Sequence, residues 1–516
     1  MKRRLLLAVV CALAWMTLGA GGLRAARFHS ACHSAAVPPA AAPAGAADPA
    51  LDCFTAELDR WMPAWLAEYH VPGAAIAIVR RGEPVWERGY GLADVARRVP
   101  VDTSSMFGVA SISKTATAWG VMVLVERGQL ALDAPVERYL KRWRLPPSGY
   151  DPREVTIRRL LSHSAGLSSP QYTGRLPDTP APSLEALLDG WDGGVYLQYP
   201  PGQRFLYSDG SYLLLQMVIE DVTGQPFPVF MQQAVLDPLG IPGAGFAWQP
   251  DRQPRTVTSY DEWLRPLPQY VYVEKAPAGL FMTAGDLARL AAAAIPGPGE
   301  TPGGAGRPAG SGVLSPQTAA GMLRPAVTTQ GVDRWIYADA YGYGYFLETL
   351  PGGQPYAYHV GGNLNGITDF SLLPAQGDGL VVMTNSMSGQ ELLAEVLAAW
   401  TGWLDTGQTT MGGIIRFARF VLGAFAGACF GWGLGWGVEA LVGLARGQRR
   451  LALPGLRALA LGAAAAAYLA WGYPFFQISI PSQSAALVVG ICTLGLGGLL
   501  DGLARRLPAQ PPLPGA

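Results

Sequence analysis

The stretch Ser111-Ile112-Ser113-Lys114 decides how this sequence is read. It opens a segment, 111–126, in which Ile112, Trp119 and the cluster 121–125 recur with helical spacing. On a helix, positions i and i+3 share a face, so the Lys114 amine lies within reach of the Ser111 hydroxyl. A hydroxyl is a weak nucleophile until a base takes its proton. Lysine can serve once burial lowers its pKa, whereas arginine stays protonated. The 38 basic residues include only four lysines, at 2, 114, 141 and 275, so a lysine at 114 is not a casual choice in an arginine-rich chain. The pair therefore marks Ser111 as a candidate nucleophile and Lys114 as its base.

Outward from this helix the pattern predicts an α+β domain. Residues 74–79 (AAIAIV) and 85–91 read as two strands joined by a tight turn. Residues 156–161 and 211–222 read as helices, and 356–360, 367–373 and 379–384 as strands. Strands thus flank a helical middle, an arrangement with one antiparallel sheet. The Pro/Gly-rich run 296–312 is expected to be a surface loop. Asp286 is read as a helix N-cap or buried hydrogen-bond partner, and His163 as structural.

Two further motifs follow. One is Pro201-Gly202-Gln203-Arg204-Phe205-Leu206-Tyr207-Ser208-Asp209; the other is His359-Val360-Gly361-Gly362-Asn363. Taken in this order with SxxK, they resemble the serine β-lactamase and penicillin-binding-protein superfamily, in its class C-like esterase and peptidase branch. The stretches at 160–167 (LLSHSAGL), 278–287 (AGLFMTAGDL) and 343–345 (YGY) are similar to that family too, and the resemblance covers about 55–400. It implies a β-lactamase/transpeptidase-like fold, an antiparallel sheet flanked by helices plus a helical subdomain. It also implies an acyl-enzyme on Ser111 with Lys114 as general base. Tyr207 would shuttle a proton to the leaving group and later activate water. The backbone N–H groups of Ser111 and Gly362 would form the oxyanion hole. His359 would sit on the strand edge beside the site, and Gly361 would let the substrate approach the backbone. No cofactor and no metal are implied.

Two positions depart from the family pattern. His359 stands where β-lactamases carry a lysine, and a neutral histidine offers no fixed charge to a substrate carboxylate. Asp209 stands where the family usually has asparagine. An ionised aspartate only accepts hydrogen bonds, and it would raise the pKa of nearby Lys114 and weaken it as a base. Tyr207 would then carry more of the proton transfer.

Composition and the chain ends set the context. Of 516 residues, 50% are hydrophobic and 15% charged, and the formal net charge is zero. Mean hydropathy is +0.19. This balance excludes a disordered chain, and it gives no basic footprint for nucleic acid. Lys2-Arg3-Arg4 followed by an apolar run predicts a signal peptide over 1–26, then an Ala/Pro-rich linker over 27–50 and the hydrolase domain over 51–405. Apolar stretches at 418–443, 456–476 and 484–502 predict three transmembrane helices within 412–506, followed by a cytoplasmic tail, 507–516. Arginines at 446, 449, 450, 505 and 506 place the 444–455 loop and the tail inside a bacterial cell membrane and the catalytic domain outside it. Gly423, Gly427, Gly431 and Gly435 lay a groove along the first span, suited to helix packing. Cys32 and Cys53 could pair in an oxidising compartment. The expectation is a multi-pass, membrane-anchored serine hydrolase acting on amide, peptide or ester substrates. Its alternatives are a non-enzymatic penicillin-binding-like sensor and a nonribosomal-peptide prodrug-activating peptidase. The oligomeric state stays open.

Overall fold

A computed structural model describes residue 32 and residues 48–170, 174–190, 194–248, 254–295, 309–446, 449–451, 491–496 and 504–506. The chain forms two units, residues 27–413 and residues 1–26 with 414–516. The larger begins with helix α1 (Pro49–Glu68), the hairpin β1 (Gly73–Arg80) and β2 (Glu83–Asp94), and two short strands, β3 (Val99–Pro100) and β4 (Phe107–Gly108). There follow α2 (Ser113–Glu126), α3 (Ile157–Leu161), α4 (Asp209–Thr223), α5 (Lys275–Ala278), β5 (Phe281–Met282) and α6 (Ala284–Ala293). Strands β6 (Val327–Thr328), β7 (Ala340–Tyr341), β8 (Phe346–Thr349), β9 (Pro355–Asn363), β10 (Gly366–Leu373) and β11 (Asp378–Thr384) lead into α7 (Gly389–Trp403). Helix α8 (Thr410–Ala445) runs on from there.

Nine of these strands form one sheet, in the order β3-β2-β1-β11-β10-β9-β8-β7-β6, with every pairing antiparallel. β1 lies near its middle, and its small apolar residues are buried on both faces. Alternation divides them between two cores. Ala74, Ile76 and Ile78 pack with Phe54, Leu58, Met62 and Trp65 of α1 and with Trp400 of α7. Ala75, Ala77 and Val79 pack with Leu287 and Leu290 of α6 and with the helical part of the domain. α2 is the axle of that helical part: residues 113–124 are all buried, which is why the helix is apolar nearly all round rather than striped. α6 starts with a capping box in which Thr283 is the N-cap and the buried Asp286, three residues on, accepts the Thr283 N–H, so Asp286 is the hydrogen-bond partner rather than the cap.

One detail at the start of the domain differs from expectation, and a second decides a pairing the sequence left open. The linker predicted over 27–50 ends earlier, because Asp48 caps α1 by accepting the Leu51 N–H and Pro49 sits in its first turn. Cys32, expected in that linker, is buried and joined by a disulfide to Cys53 on α1. Helix α8 has 36 residues, all but the first four in the smaller unit, and is the one described helix long and apolar enough to cross a membrane. It contains the first predicted span, so one span is found where three were expected. The second predicted span lies outside the described residues, as does the third except for a helical piece at 491–496. The signal peptide, the tail and most of the 296–312 loop also lie outside them. Arg449–Leu451 and Ala504–Arg506 pair as a two-stranded antiparallel ribbon.

Candidate active site

The polypeptide approaches Ser111 through β4, which pairs with β5. The Val109 N–H donates to the Leu280 carbonyl at 2.9 Å. Ala110 then takes a left-handed φ of 46°, and a single 3₁₀ turn, Ala110–Ile112, delivers Ser111 to the start of α2. Lys114 follows one turn later and is fully buried. Its Nζ lies 3.1 Å from Ser111 Oγ and 3.1 Å from the Pro277 carbonyl at α5. A third partner, Asp209 Oδ1, lies 2.6 Å away. The Tyr207 ring centroid is 4.9 Å from the same nitrogen.

These contacts set the protonation states. Burial is the largest influence on Lys114 and works to lower its pKa, but the charges and hydrogen bonds of Asp209 and Tyr207 outweigh it and leave the ammonium above its ordinary value. Burial pushes the Tyr207 phenol up. The Lys114 charge and hydrogen bonds to Lys114 and Ser111 pull it down, and the Asp209 carboxylate pushes it up again. At neutral pH the resting site therefore holds a lysine cation, an aspartate partner and a neutral phenol around one serine hydroxyl. Lys114 and Tyr207 share a hydrogen bond and so titrate as a unit. Asp209 is the first residue of α4, capped by Ser208, whose Oγ accepts the Ser211 N–H at 3.2 Å. A helix N-terminus suits a carboxylate, and Asp209 is thus held with its side chain 31% exposed.

Ser111, Lys114, Tyr207 and Asp209, singled out in sequence, meet at one point. The β9 residues are arranged less simply. β8 pairs with β9 only as far as Tyr358, so the β9 edge from His359 to Asn363 is not covered by β8, and this stretch packs against the turn that carries Ser111. Gly362 lies exposed there. Gly361 has a reason other than substrate approach: a Cβ at this position would lie 2.2 Å from the Val109 carbonyl oxygen and 2.6 Å from Thr368 Oγ1. The missing side chain lets the nucleophile's own strand close on β9. His359, expected at the strand edge and in contact with substrate, is fully buried instead. Its Nδ1–H donates to the Val360 carbonyl at 2.9 Å, and its Nε2 accepts from the Tyr341 hydroxyl at 3.1 Å. Burial, helped by the Lys114 charge, lowers its pKa to about 3, so it is neutral. Strand alternation turns position 359 to the same face as Gly361, where Tyr341 holds the ring behind Tyr207.

Sequence reasoning did not find Glu274, and it read His163 as structural without its contact to Tyr207. His163 is fully buried with its ring centroid 4.3 Å from that of Tyr207. Glu274 lies just before α5, and burial raises its carboxyl to about 7, with the Asp209 charge adding to the shift. A lone glutamate in a loop carries no local signal. His163 sat inside a recognisable motif, but its contact with Tyr207 spans 44 residues.

The model of the family described as Beta-lactamase matches residues 58–400. Esterase EstB of Burkholderia gladioli is 32% identical over 235 residues, 42% of this chain and 60% of EstB. Protein flp of Staphylococcus aureus strain N315 is 26% identical over 213 residues, 40% of this chain and 41% of flp. The match therefore spans three fifths or less of these relatives' own lengths. Among solved structures, the octameric penicillin-binding protein homologue from Pyrococcus abyssi aligns with a TM-score of 0.55 at 26% identity, covering 68% of this chain and 78% of that one. The penicillin-binding protein from Bacillus halodurans aligns with a TM-score of 0.51 at 23% identity, covering 66% of this chain and 98% of that one, a likeness of fold.

Proposed function

Because this chain belongs to the beta-lactamase family, we propose that it is a serine hydrolase that works through an acyl-enzyme on Ser111. The observation that carries the reading is the placement of the fully buried Lys114 nitrogen 3.1 Å from Ser111 Oγ. In the active form the Lys114–Tyr207 unit has lost one proton. Ser111 Oγ attacks the substrate carbonyl carbon, and the hydroxyl proton passes to that unit. The N–H groups of Ser111 and Gly362 take the charge that develops on the carbonyl oxygen. Tyr207 returns the proton to the leaving group as the carbonyl–leaving-group bond breaks. Water then enters, gives a proton to the same unit, and releases the acid from Ser111, whose oxygen recovers the proton.

The electrostatics favour some substrates over others. Asp209 offsets the Lys114 charge, His359 is neutral and buried, and Glu274 adds a second acidic group nearby. An acyl group carrying a carboxylate meets no free cation among these residues, so we assign the site to neutral ester or amide substrates. The likeness to EstB, an esterase by name, favours esters first. The 2.6 Å ion pair between Asp209 and Lys114 also supports slow turnover, because the carboxylate favours the ammonium form and weakens the base needed for deacylation. A penicillin-binding-like sensor would use the same feature to stay acylated.

We place the catalytic unit outside the cytoplasm on a membrane anchor. The 36-residue apolar helix α8, the Cys32–Cys53 disulfide and the basic-then-apolar N-terminal sequence support this. So does the pairing of the two arginine-bearing segments that charge bias assigns to the same side of the bilayer. Labelling of membranes with a fluorescent fluorophosphonate tests the central reading. Wild type should label and Ser111→Ala should not. A folded wild type that fails to label would overturn it, and stoichiometric acylation without turnover would favour the sensor.

A further inference from the structure

Tyr207, one half of the Lys114–Tyr207 proton carrier, is tied to a residue from a distant part of the chain. Tyr207 lies in an irregular segment just before α4, so no helix or sheet ladder holds its backbone. Its two neighbours are instead tied to one residue. The Leu206 N–H donates to the His163 carbonyl oxygen at 2.7 Å, and the Ser208 N–H donates to His163 Nδ1 at 3.1 Å. Between these two bonds, the His163 ring lies against the Tyr207 ring at 4.3 Å between centroids, tilted by 31°. His163 thus holds Tyr207 through the residue before it, the residue after it and the ring itself.

The arrangement is costly to build. His163 adopts φ 55°, a left-handed conformation uncommon outside glycine, although histidine, asparagine and aspartate take it more readily than other residues. Accepting from Ser208 places the imidazole proton on Nε2, and that nitrogen is buried with no hydrogen-bond partner among the described residues. The His163 ring packs against those of Tyr207, Tyr212 and Tyr341, with centroids 4.3, 5.1 and 4.9 Å from its own. A strained backbone and an orphaned buried donor each oppose folding. Burial and the Lys114 charge also keep the ring uncharged, so it adds no competing cation beside Lys114. A residue serving stability alone would be better replaced by one free of both costs.

We propose that His163 is the positioning residue for Tyr207, fixing the phenol between Lys114 and Ser111. The inference rests on the serine hydrolase reading above and deepens it. Asparagine mimics the clamp, because its Oδ1 stands as many bonds from Cα as Nδ1 does and it tolerates φ 55°. Leucine fills the space without an acceptor. Glycine adopts the conformation freely and leaves nothing in the space.

The test uses the full-length chain in detergent micelles, with p-nitrophenyl acetate as substrate, fluorophosphonate labelling rate as a second readout, and thermal melts to establish folding. His163→Asn is expected to keep kcat within about threefold of wild type. His163→Leu and His163→Gly are expected to lose about 10- to 100-fold in kcat with KM little changed, a part of the 10²–10⁴ that a placed acid–base group contributes. In a Tyr207→Phe background, His163→Leu should cost no more than about twofold further, because no hydroxyl remains to be placed. A folded His163→Leu or His163→Gly with wild-type kcat overturns the proposal, and so does an equal loss in the Tyr207→Phe background. Should leucine prevent folding, the glycine variant decides alone and in that background. A wild type that neither labels nor turns over would bring down the hydrolase reading itself, and this inference with it.

Discussion

Asp209→Asn probes the electrostatic centre of the site. The Asp209 carboxylate lies 2.6 Å from Lys114 Nζ. At that separation and an effective dielectric near 20, two unit charges attract by about 6 kcal/mol. Asp209 is 31% exposed, so solvent screening reduces this to roughly half, about 3 kcal/mol. The sign follows from both partners: the carboxylate raises Lys114 and raises Tyr207, so removing it lowers the pKa of the coupled pair. Activity requires the pair to have lost a proton, and the wild-type kcat/KM should therefore climb toward alkaline pH. In Asp209→Asn that rising limb should move toward acid, with higher activity at neutral pH. Asparagine is nearly the same size, so the cleft keeps its shape. A kcat/KM profile from pH 5 to 10 on a neutral ester reads the shift directly. A limb that stays within half a unit of wild type would refute the idea that Asp209 holds the pair protonated.

Gly361→Ala should act on geometry rather than charge. The new Cβ would sit 2.2 Å from the Val109 carbonyl oxygen, so β9 or the strand leading to Ser111 must move. Overpacking of this kind costs typically 1–3 kcal/mol of stability, and displacing reacting groups by about 1 Å costs about 100-fold in rate; stopped-flow ester hydrolysis at wild-type rate would show that the contact is dispensable. Asp369→Asn should act on stability instead. Asp369 is fully buried, and burial raises its pKa to about 7 from 3.8. The folded chain then binds more protons than the unfolded one between these values, so stability falls as pH rises from about 4 to 7, by up to about 4 kcal/mol. The variant should flatten that slope, with a larger gain in melting temperature at pH 8 than at pH 4; parallel Tm curves for the two proteins would count against it.

The sequence by itself determined what depends on short spacing. Ser111 and Lys114 stand three apart on a helix, and no tertiary contact is needed to bring them together. Residues 74–79 form an apolar run, and a run buried on both faces becomes a central strand wherever the chain goes next. A stretch of apolar residues at 418–443 forms a long helix for the same local reason. Even the Asp209–Lys114 pairing was legible, once the motif order placed Tyr207 and Asp209 beside the SxxK helix. The rest was decided across distances that periodicity does not see. The facing of His359 depends on β9 alternation and on Tyr341, 18 residues away, whose hydroxyl turns the ring inward. The purpose of Gly361 depends on Val109, which lies over 250 residues earlier. The clamp on Tyr207 depends on His163, 45 residues before the amide it accepts from. The start of α1 was hidden by composition, because an Ala/Pro-rich run masked the Asp48 cap. In each case the side chain's chemistry was visible in the sequence, but its partner was chosen by the packing of separate elements around the sheet.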